Sequence, residues 1–421
     1  MIERPPSSSG GHASRLNRRL PGKLLLSITT LWFGLELVLR LAPHAIPTKA
    51  LVYFREDLRA RIAAGRFATR EGTVRLERDD GGPELRIWKP FYVKPYELSD
   101  PGTLKSVPTD EIGFSNPPET YTRHDSFDVV AIGDSFTWAF AVEPTAAWSL
   151  QLGALTGLSV LNLGKGGTGL YEYLQILKKF GLAKHPRIVV MNVYEGNDVR
   201  DAVAYQAYRS GGPGSDEAPP SAWKRVPLLS RSYVVNLIGG TAEYLAARHR
   251  EKAAEGAVDF RFRVDPENAD ILFNAQQAAR DEVVFPRRIV AGELAFTVFD
   301  EAIRAFAELA RTHGFIPVMM YSPAACTAYH PVRFNDPALA DVLPRFSQMQ
   351  RAYLSKQAVE NGIQFLDLTD ALQAAAFPES GCDPTNLLYF PTSIHYSPRG
   401  HAVAARALAD FLTDLEADPE K

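Results

Sequence analysis

The sequence predicts a parallel β-sheet covered by helices on both faces. Three observations carry this: five short apolar runs, amphipathic stretches between them, and glycine-containing turns at their ends. The first run, FDVVAIG (127–133), is apolar throughout and ends in glycine, as a strand buried on both faces does. LSVLNLG (158–164), RIVVMNVYE (187–195), FIPVMMYSP (315–323) and IQFLDL (363–368) repeat the pattern. Helical patterns over 145–157, 169–182, 291–314, 337–361 and 398–415 alternate with these runs. A small β-rich preface or stalk is expected over 43–125, where LVYFREDLRARIAAG reads as a short helix and ELRIWKPFYVKPYEL as strand. The main domain is expected over 126–418, with an insertion at about 206–290 that opens on a Gly/Pro/Ser-rich loop and holds a helix near 230–253.

The chain has 421 residues, 46% hydrophobic and 23% charged, which allows a large core. A net charge of -3 gives no broad basic field, and no nucleic-acid motif is present, so nucleic acid is not an expected partner. Two cysteines, Cys326 and Cys382, are too few for a disulfide framework or a zinc site, and no metal or cofactor motif stands out.

Residues 1–23 are polar and basic, with Arg4, Arg15, Arg18, Arg19 and Lys23 against Glu3. The apolar run Leu24 to Ala42 follows, close to the roughly 20 residues needed to cross a bilayer. It carries Glu36 and Arg40 one turn apart, spaced to pair. Charge before the run predicts a cytoplasmic tail (1–23), an uncleaved transmembrane anchor (24–42) and the rest of the chain outside the cytoplasm, with a cleaved signal or an amphipathic or buried helix of a soluble protein as the alternatives. That is a single-pass protein of the inner (cytoplasmic) membrane with its main domain on the periplasmic or extracytoplasmic side.

In parallel sheets of this kind ligands bind beyond the carboxyl ends of the strands. After the first strand stands Gly133-Asp134-Ser135-Phe136-Thr137. A serine at a strand-to-helix turn is exposed, and its own backbone N–H can face a developing oxyanion. After the second stands Asn162-Leu163-Gly164-Lys165-Gly166-Gly167, where glycine lets the backbone approach a ligand. After the third stands Glu195-Gly196-Asn197-Asp198, with a side-chain amide donor. Before the last helix, Ser393-Ile394-His395-Tyr396-Ser397 places an imidazole where it can take the serine proton.

These four blocks in this order resemble the SGNH (GDSL) hydrolase family over about 126–205 and 290–415. Ser135 within GDSFT matches the family's nucleophile, Gly167 its second-block glycine five residues after Asn162, Asn197 the asparagine of its GxND motif, and His395 its final histidine. The resemblance implies a flavodoxin-like three-layer α/β/α sandwich with a five-stranded parallel sheet. It also implies an acyl-serine mechanism, with an oxyanion hole from the Ser135 N–H, the Gly167 N–H and the Asn197 amide, and no cofactor. The N-terminal run and Asp110-Glu111-Ile112-Gly113-Phe114 look like a membrane-anchored bacterial subgroup, similar to the SGNH-like domains of alginate-type O-acetylation proteins. That implies acyl, above all acetyl, esters of an envelope glycan or lipid as substrate, with envelope acyl-transfer machinery as partner.

The family places an aspartate two or three residues before its histidine; here Ser393 and Thr392 stand there. In triad enzymes, changing that aspartate lowers the rate by about 10⁴. Three readings follow: a hydroxyl of Thr392 or Ser393, or a backbone carbonyl, holds the ring; Asp383 or another carboxylate swings in; or the domain is a non-catalytic glycan-binding or scaffolding component. Asp134 reads first as a helix cap, Asp198 and His401 as structural, and Trp138 and Phe140 as core or pocket wall. Glu195 is read either as tuning the oxyanion region or as a salt-bridge partner of Arg200 or Lys165. Cys326 and Cys382 are expected at one sheet edge, where a disulfide would tie the histidine loop to the fourth strand's exit.

Overall fold

The computed structural model of the chain describes residues 22–42, 46, 58, 73–97, 104–210, 231–255, 259–265, 267–275, 278, 280–378 and 381–417. These form two compact units: Met1–Arg66 with Ser221–Ala246, and Phe67–Pro220 with Ala247–Lys421.

The larger unit is built on five parallel strands, β1 (Val129–Ile132), β2 (Val160–Asn162), β3 (Ile188–Tyr194), β4 (Ile316–Ser322) and β5 (Gln364–Asp367), in the order β5-β4-β3-β1-β2. Ala131 pairs with Val190 of β3, Val130 with Leu161 of β2, Val190 with Val318 of β4 and Met320 with Leu366 of β5. This is the doubly wound order 2-1-3-4-5, whose chain reverses direction between β1 and β3 and opens a crevice at their carboxyl ends. All five expected strands are present.

The helices that cover the sheet are α1 (Ser135–Trp138), α2 (Trp148–Thr156), α3 (Leu170–Ile176), α4 (Asp198–Arg209), α5 (Asp300–His313), α6 (Leu339–Asn361), α7 (Thr369–Ala376) and α8 (Pro398–Ala417). Alternate strand residues feed two cores. Val129, Ala131 and Val190 pack with Trp148 and Leu152 of α2, Leu372 of α7, and Ala404, Leu408 and Leu412 of α8. Val130, Ile132, Val189 and Met191 pack with Leu170 and Leu174 of α3 and with Ile303 and Phe306 of α5. The result is the expected three-layer arrangement.

α5 shows how sequence sets an element. Ala302, Ile303, Phe306, Ala307 and Ala310 recur at helical spacing and are buried, acids occupy the first turn, and Gly314 ends the helix at φ 74°. The helix begins at Asp300, later than the 291 expected, because Gly292 at φ 75° follows the helix Phe285–Val290 and a 3₁₀ turn, Phe296–Phe299, intervenes.

The boundary expected at residue 125 does not separate compact units. From Phe67 on, the preface belongs to the larger unit. Its hairpin strands Thr73–Leu76 and Leu85–Trp88 are antiparallel, and Leu76, Leu85, Ile87 and Phe114 enter the same core as α3 and α5. A second hairpin pairs Val93–Glu97 with Leu104–Pro108. The helix expected over LVYFREDLRARIAAG lies outside the described residues except Leu58, and so does the Gly/Pro/Ser-rich loop beyond residue 210. The insertion contains the expected helix, Tyr233–Glu255, and two strands that were not expected, Phe262–Val264 and Ile271–Phe273. These form a small sheet with Arg333–Phe334.

In the smaller unit, the helix Gly22–Leu41 forms where an anchor was expected. Among the described residues, no helix is long and apolar enough to cross a membrane. Within this helix Glu36 and Arg40 meet. They pair at 2.6 Å, and the Glu36 carboxylate caps the N-terminus of Tyr233–Glu255, accepting from Ser232 Oγ at 2.8 Å and from the Tyr233 and Val234 N–H groups at 3.0 Å each. The charged tail up to residue 21 lies outside the described residues.

Phe306 is fully buried in the α3–α5 core. Phe306→Ala is expected to lower unfolding free energy by about 3–5 kcal/mol, read from urea or thermal unfolding.

Candidate active site

β1 delivers a serine into the crevice through a turn that only these residues make. A Cβ on Gly133 would lie 2.1 Å from Thr137 Oγ1, so the chain turns tightly there. Asp134 caps α1, its Oδ1 accepting from the Phe136 N–H at 2.8 Å. The cap reading of Asp134 therefore holds, and its Oδ2 lies 3.5 Å from Ser135 Oγ. Burial, with Asp201's charge adding, pushes the Asp134 carboxyl up to about 7.

The histidine arrives from a folded loop before α8. The Phe390 N–H donates to the His395 carbonyl at 3.1 Å, the Ser393 N–H donates to the Phe390 carbonyl at 3.1 Å, and Tyr389 bridges Tyr396. Ser397 Oγ caps α8, accepting from the Arg399 N–H at 3.1 Å and the Gly400 N–H at 3.3 Å. His395 Nε2 thereby lies 2.8 Å from Ser135 Oγ. Its other ring nitrogen, Nδ1, lies 2.8 Å from Ser393 Oγ. For Nε2 to accept the Ser135 proton, Nδ1 must carry hydrogen and donate to Ser393 Oγ. Burial pushes the His395 pKa down to about 4, and no carboxylate offsets it. The ring lies near Phe136, with centroids 5.3 Å apart, and near Phe140, with centroids 4.5 Å apart.

Asp383, another expected orienter, stands elsewhere. Asp383 is exposed and closes its own turn, accepting from the Thr385 N–H at 2.8 Å and Thr385 Oγ1 at 2.7 Å; a local partner wins over a swing inward. Thr392 is exposed.

Of the oxyanion candidates, Asn197 precedes α4 and its Nδ2 donates to Asp201 Oδ2 at 3.1 Å. An amide nitrogen carries two hydrogens, so this bond orients the group and leaves it a donor. Gly167 has φ 75° and is exposed. The closest backbone approach is one residue earlier: a Cβ on Gly166 would lie 3.5 Å from Ser135 Cβ, whereas one on Gly167 would meet open space. The two adjacent glycines gave no sequence signal to distinguish them.

Glu195 neither salt-bridges Arg200 or Lys165 nor faces the oxyanion region. It is buried and accepts from the Ala324 N–H at 3.0 Å, Thr327 Oγ1 at 2.8 Å and Ser347 Oγ at 3.3 Å, tying β3 to the exit of β4. Asp198 is structural, accepting from the Tyr173 hydroxyl at 2.6 Å and the Tyr194 N–H at 2.7 Å. His401 is also structural: its Nδ1 accepts from the Trp148 N–H at 3.3 Å and ties α8 to α2. Cys326 and Cys382 are both free, buried thiols, so the expected disulfide is not formed; each packs in the core on its own.

A buried polar relay from the preface was not foreseen. Asp110 accepts from the Phe114 N–H at 2.7 Å and from Asn116 Nδ2 at 2.7 Å. Asn116 accepts from the Asn162 N–H at 2.9 Å. Asn162 Nδ2 donates to the Thr137 carbonyl at 2.8 Å, and its Oδ1 accepts from the Gly164 N–H at 2.8 Å. One relay thus holds both the Ser135 turn and the glycine loop. Its only sequence sign was the Asp110–Phe114 motif.

No protein-family model and no curated protein matches the chain. Among solved structures the chain is similar to a protein provisionally named a lipolytic protein of the G-D-S-L family from Desulfitobacterium hafniense, at 16% identity and TM-score 0.33, over 67% of this chain and 97% of that one. It is also similar to an acetyl xylan esterase, at 14% identity and TM-score 0.34, over 68% and 98% of the two chains. A third is a catalytic variant of an acetylxylan esterase from Geobacillus stearothermophilus, at 11% identity and TM-score 0.34, over 68% and 94%. Likeness this low carries no argument about the site, which stands on its own geometry.

Asn116→Ala would leave the Asp110 carboxylate and the Asn162 N–H short of partners inside the core. The expected loss is about 1–3 kcal/mol per orphaned group, read as a lower urea midpoint at unchanged slope.

Proposed function

We propose that the chain is a serine ester hydrolase or O-acyltransferase that works through an acyl-serine at Ser135. The observation that supports this most is the paired 2.8 Å contacts of His395, Nε2 to the Ser135 hydroxyl and Nδ1 to the Ser393 hydroxyl. In the reaction, the Ser135 Oγ–H proton passes to Nε2 as Oγ bonds to the ester carbonyl carbon. The carbonyl electron pair moves onto oxygen, facing the Ser135 N–H, the N–H groups of Gly166 and Gly167, and the Asn197 amide. Nε2 then gives its proton to the leaving alcohol as the carbon–oxygen bond breaks, leaving acyl-Ser135. Water or a sugar hydroxyl, deprotonated by Nε2, reverses the sequence and frees the serine.

Ser393 acts here as the tether of the base. A hydroxyl can accept from Nδ1–H as a carboxylate would, but it can also donate to a bare Nδ1, and it brings no negative charge to the imidazolium. Acetyl esters of an envelope glycan or lipid remain the proposed substrate class, by resemblance alone, together with envelope acyl-transfer machinery as partner and an extracytoplasmic location.

Ser135→Ala is expected to abolish p-nitrophenyl acetate turnover and fluorophosphonate labelling. A wild-type protein that neither turns over nor labels, but still binds acetylated glycans, would instead support a non-catalytic binding domain.

The acidic limb of kcat/KM reports the free base. Because burial holds His395 neutral down to about pH 4, activity should persist below the ordinary histidine range and fall only as pH approaches that value. Ser393→Asp places an anion beside Nδ1, which favours the charged ring. The limb should then move up by about one pH unit or more.

A further inference from the structure

We propose that Phe140, together with Phe136, supplies part of what the absent carboxylate would: their ring faces stabilise the imidazolium formed when His395 takes the Ser135 proton. This rests on the ester-transfer reading above.

Two aromatic rings lie within cation–π distance of the imidazole. The His395 ring centroid lies 4.5 Å from that of Phe140, tilted by 40°, and 5.3 Å from that of Phe136, tilted by 32°. Cations within about 6 Å of a ring centroid are attracted by its quadrupole, more strongly where water is excluded. Phe136 is fixed in place: it is buried, stacks on Tyr194 at 4.0 Å and meets Tyr396 edge-on at 4.8 Å.

Phe140 is placed at the expense of backbone comfort. Its neighbours Ala139 and Ala141 both adopt left-handed conformations, at φ 62° and 67°, where a residue with a Cβ is strained. The Phe140 N–H donates to the Ser135 carbonyl at 3.0 Å, which closes the turn that carries the ring to His395. Ala139 is the left-handed C-cap of α1 and both alanines are buried, so this turn places the Phe140 ring beside the imidazole from the nucleophile's own helix.

The charged and titratable groups around the ring leave this role open. Asp134 lies behind Ser135, 3.5 Å from its Oγ and bound to the Phe136 N–H. Tyr194 and Tyr396 stay neutral, since burial raises both hydroxyls. His401, beyond Tyr396, is held neutral by burial and bonded to the Trp148 N–H. Ser393, the group on Nδ1, is uncharged.

The test replaces the ring face but keeps the apolar cover. In Phe140→Leu, the His395 titration midpoint, followed by NMR on the resonance that His395→Gln removes, is expected about one pH unit lower. Correspondingly kcat should fall about tenfold at unchanged KM, one pH unit and a factor of ten being the same free energy. Phe140→Ala, which admits water, should move the midpoint upward, separating loss of shielding from loss of the ring face. Phe140→Trp, a stronger cation partner, should raise the midpoint and keep kcat. With Ser393→Asp present, the carboxylate carries the charge, and Phe140→Leu should then lower kcat less than about threefold. The proposal is overturned if Phe140→Leu leaves the midpoint unmoved, or if its effect is equally large with Ser393→Asp. The midpoint needs no turnover, so an inactive wild type would defeat the ester-transfer reading while the ring-face effect stayed measurable.

Discussion

The site depends on one imidazole held between two hydroxyls. His395 meets Ser135 through Nε2 and Ser393 through Nδ1, each at 2.8 Å. Neither serine is near the other in sequence, so the contact requires the whole sheet order. β1 brings Ser135 to the switch point, and the loop before α8 folds back on residues 388–390 to bring His395. The Asp110–Asn116–Asn162 relay then fixes the Ser135 turn against the glycine loop. The preface is therefore structural support for the crevice, which explains why its apolar residues share a core with α3 and α5.

A hydroxyl in the carboxylate's position divides two tasks that one aspartate usually performs. Holding the productive tautomer needs an acceptor at the right distance from Nδ1–H, and Ser393 Oγ can serve as one. Stabilising the positive ring needs charge or polarisable density, which Ser393 lacks. Burial makes that second need sharper, since it holds the ring neutral down to about pH 4. The rings of Phe136 and Phe140 lie where they can meet it. A base this weak gives up driving force for proton transfer but remains deprotonated over a wide pH range.

Much of this was legible in the sequence because strands buried on both faces write themselves as unbroken apolar runs. FDVVAIG and RIVVMNVYE became β1 and β3, and the residues after them became the crevice. Ser135 and His395 could be named as candidates from motif order, while the holder of the imidazole stayed open among Thr392, Ser393, a backbone carbonyl and Asp383. Contacts set by side-chain reach could not be named this way. Glu195 turned to the β4 exit, and Asp383 to Thr385, because nearer donors satisfied them. Cys326 and Cys382 share an expected sheet edge but each is buried separately. Nor does composition reveal that Glu36, in the apolar run before residue 42, caps another helix.

The central claim is a tautomer, so the most direct measurement is the ¹⁵N spectrum of the His395 ring at neutral pH. The account predicts a protonated Nδ1, hydrogen-bonded to Ser393, and a bare Nε2 facing Ser135. A ring protonated at Nε2 with Nδ1 bare would contradict it, because such a ring cannot take the Ser135 proton.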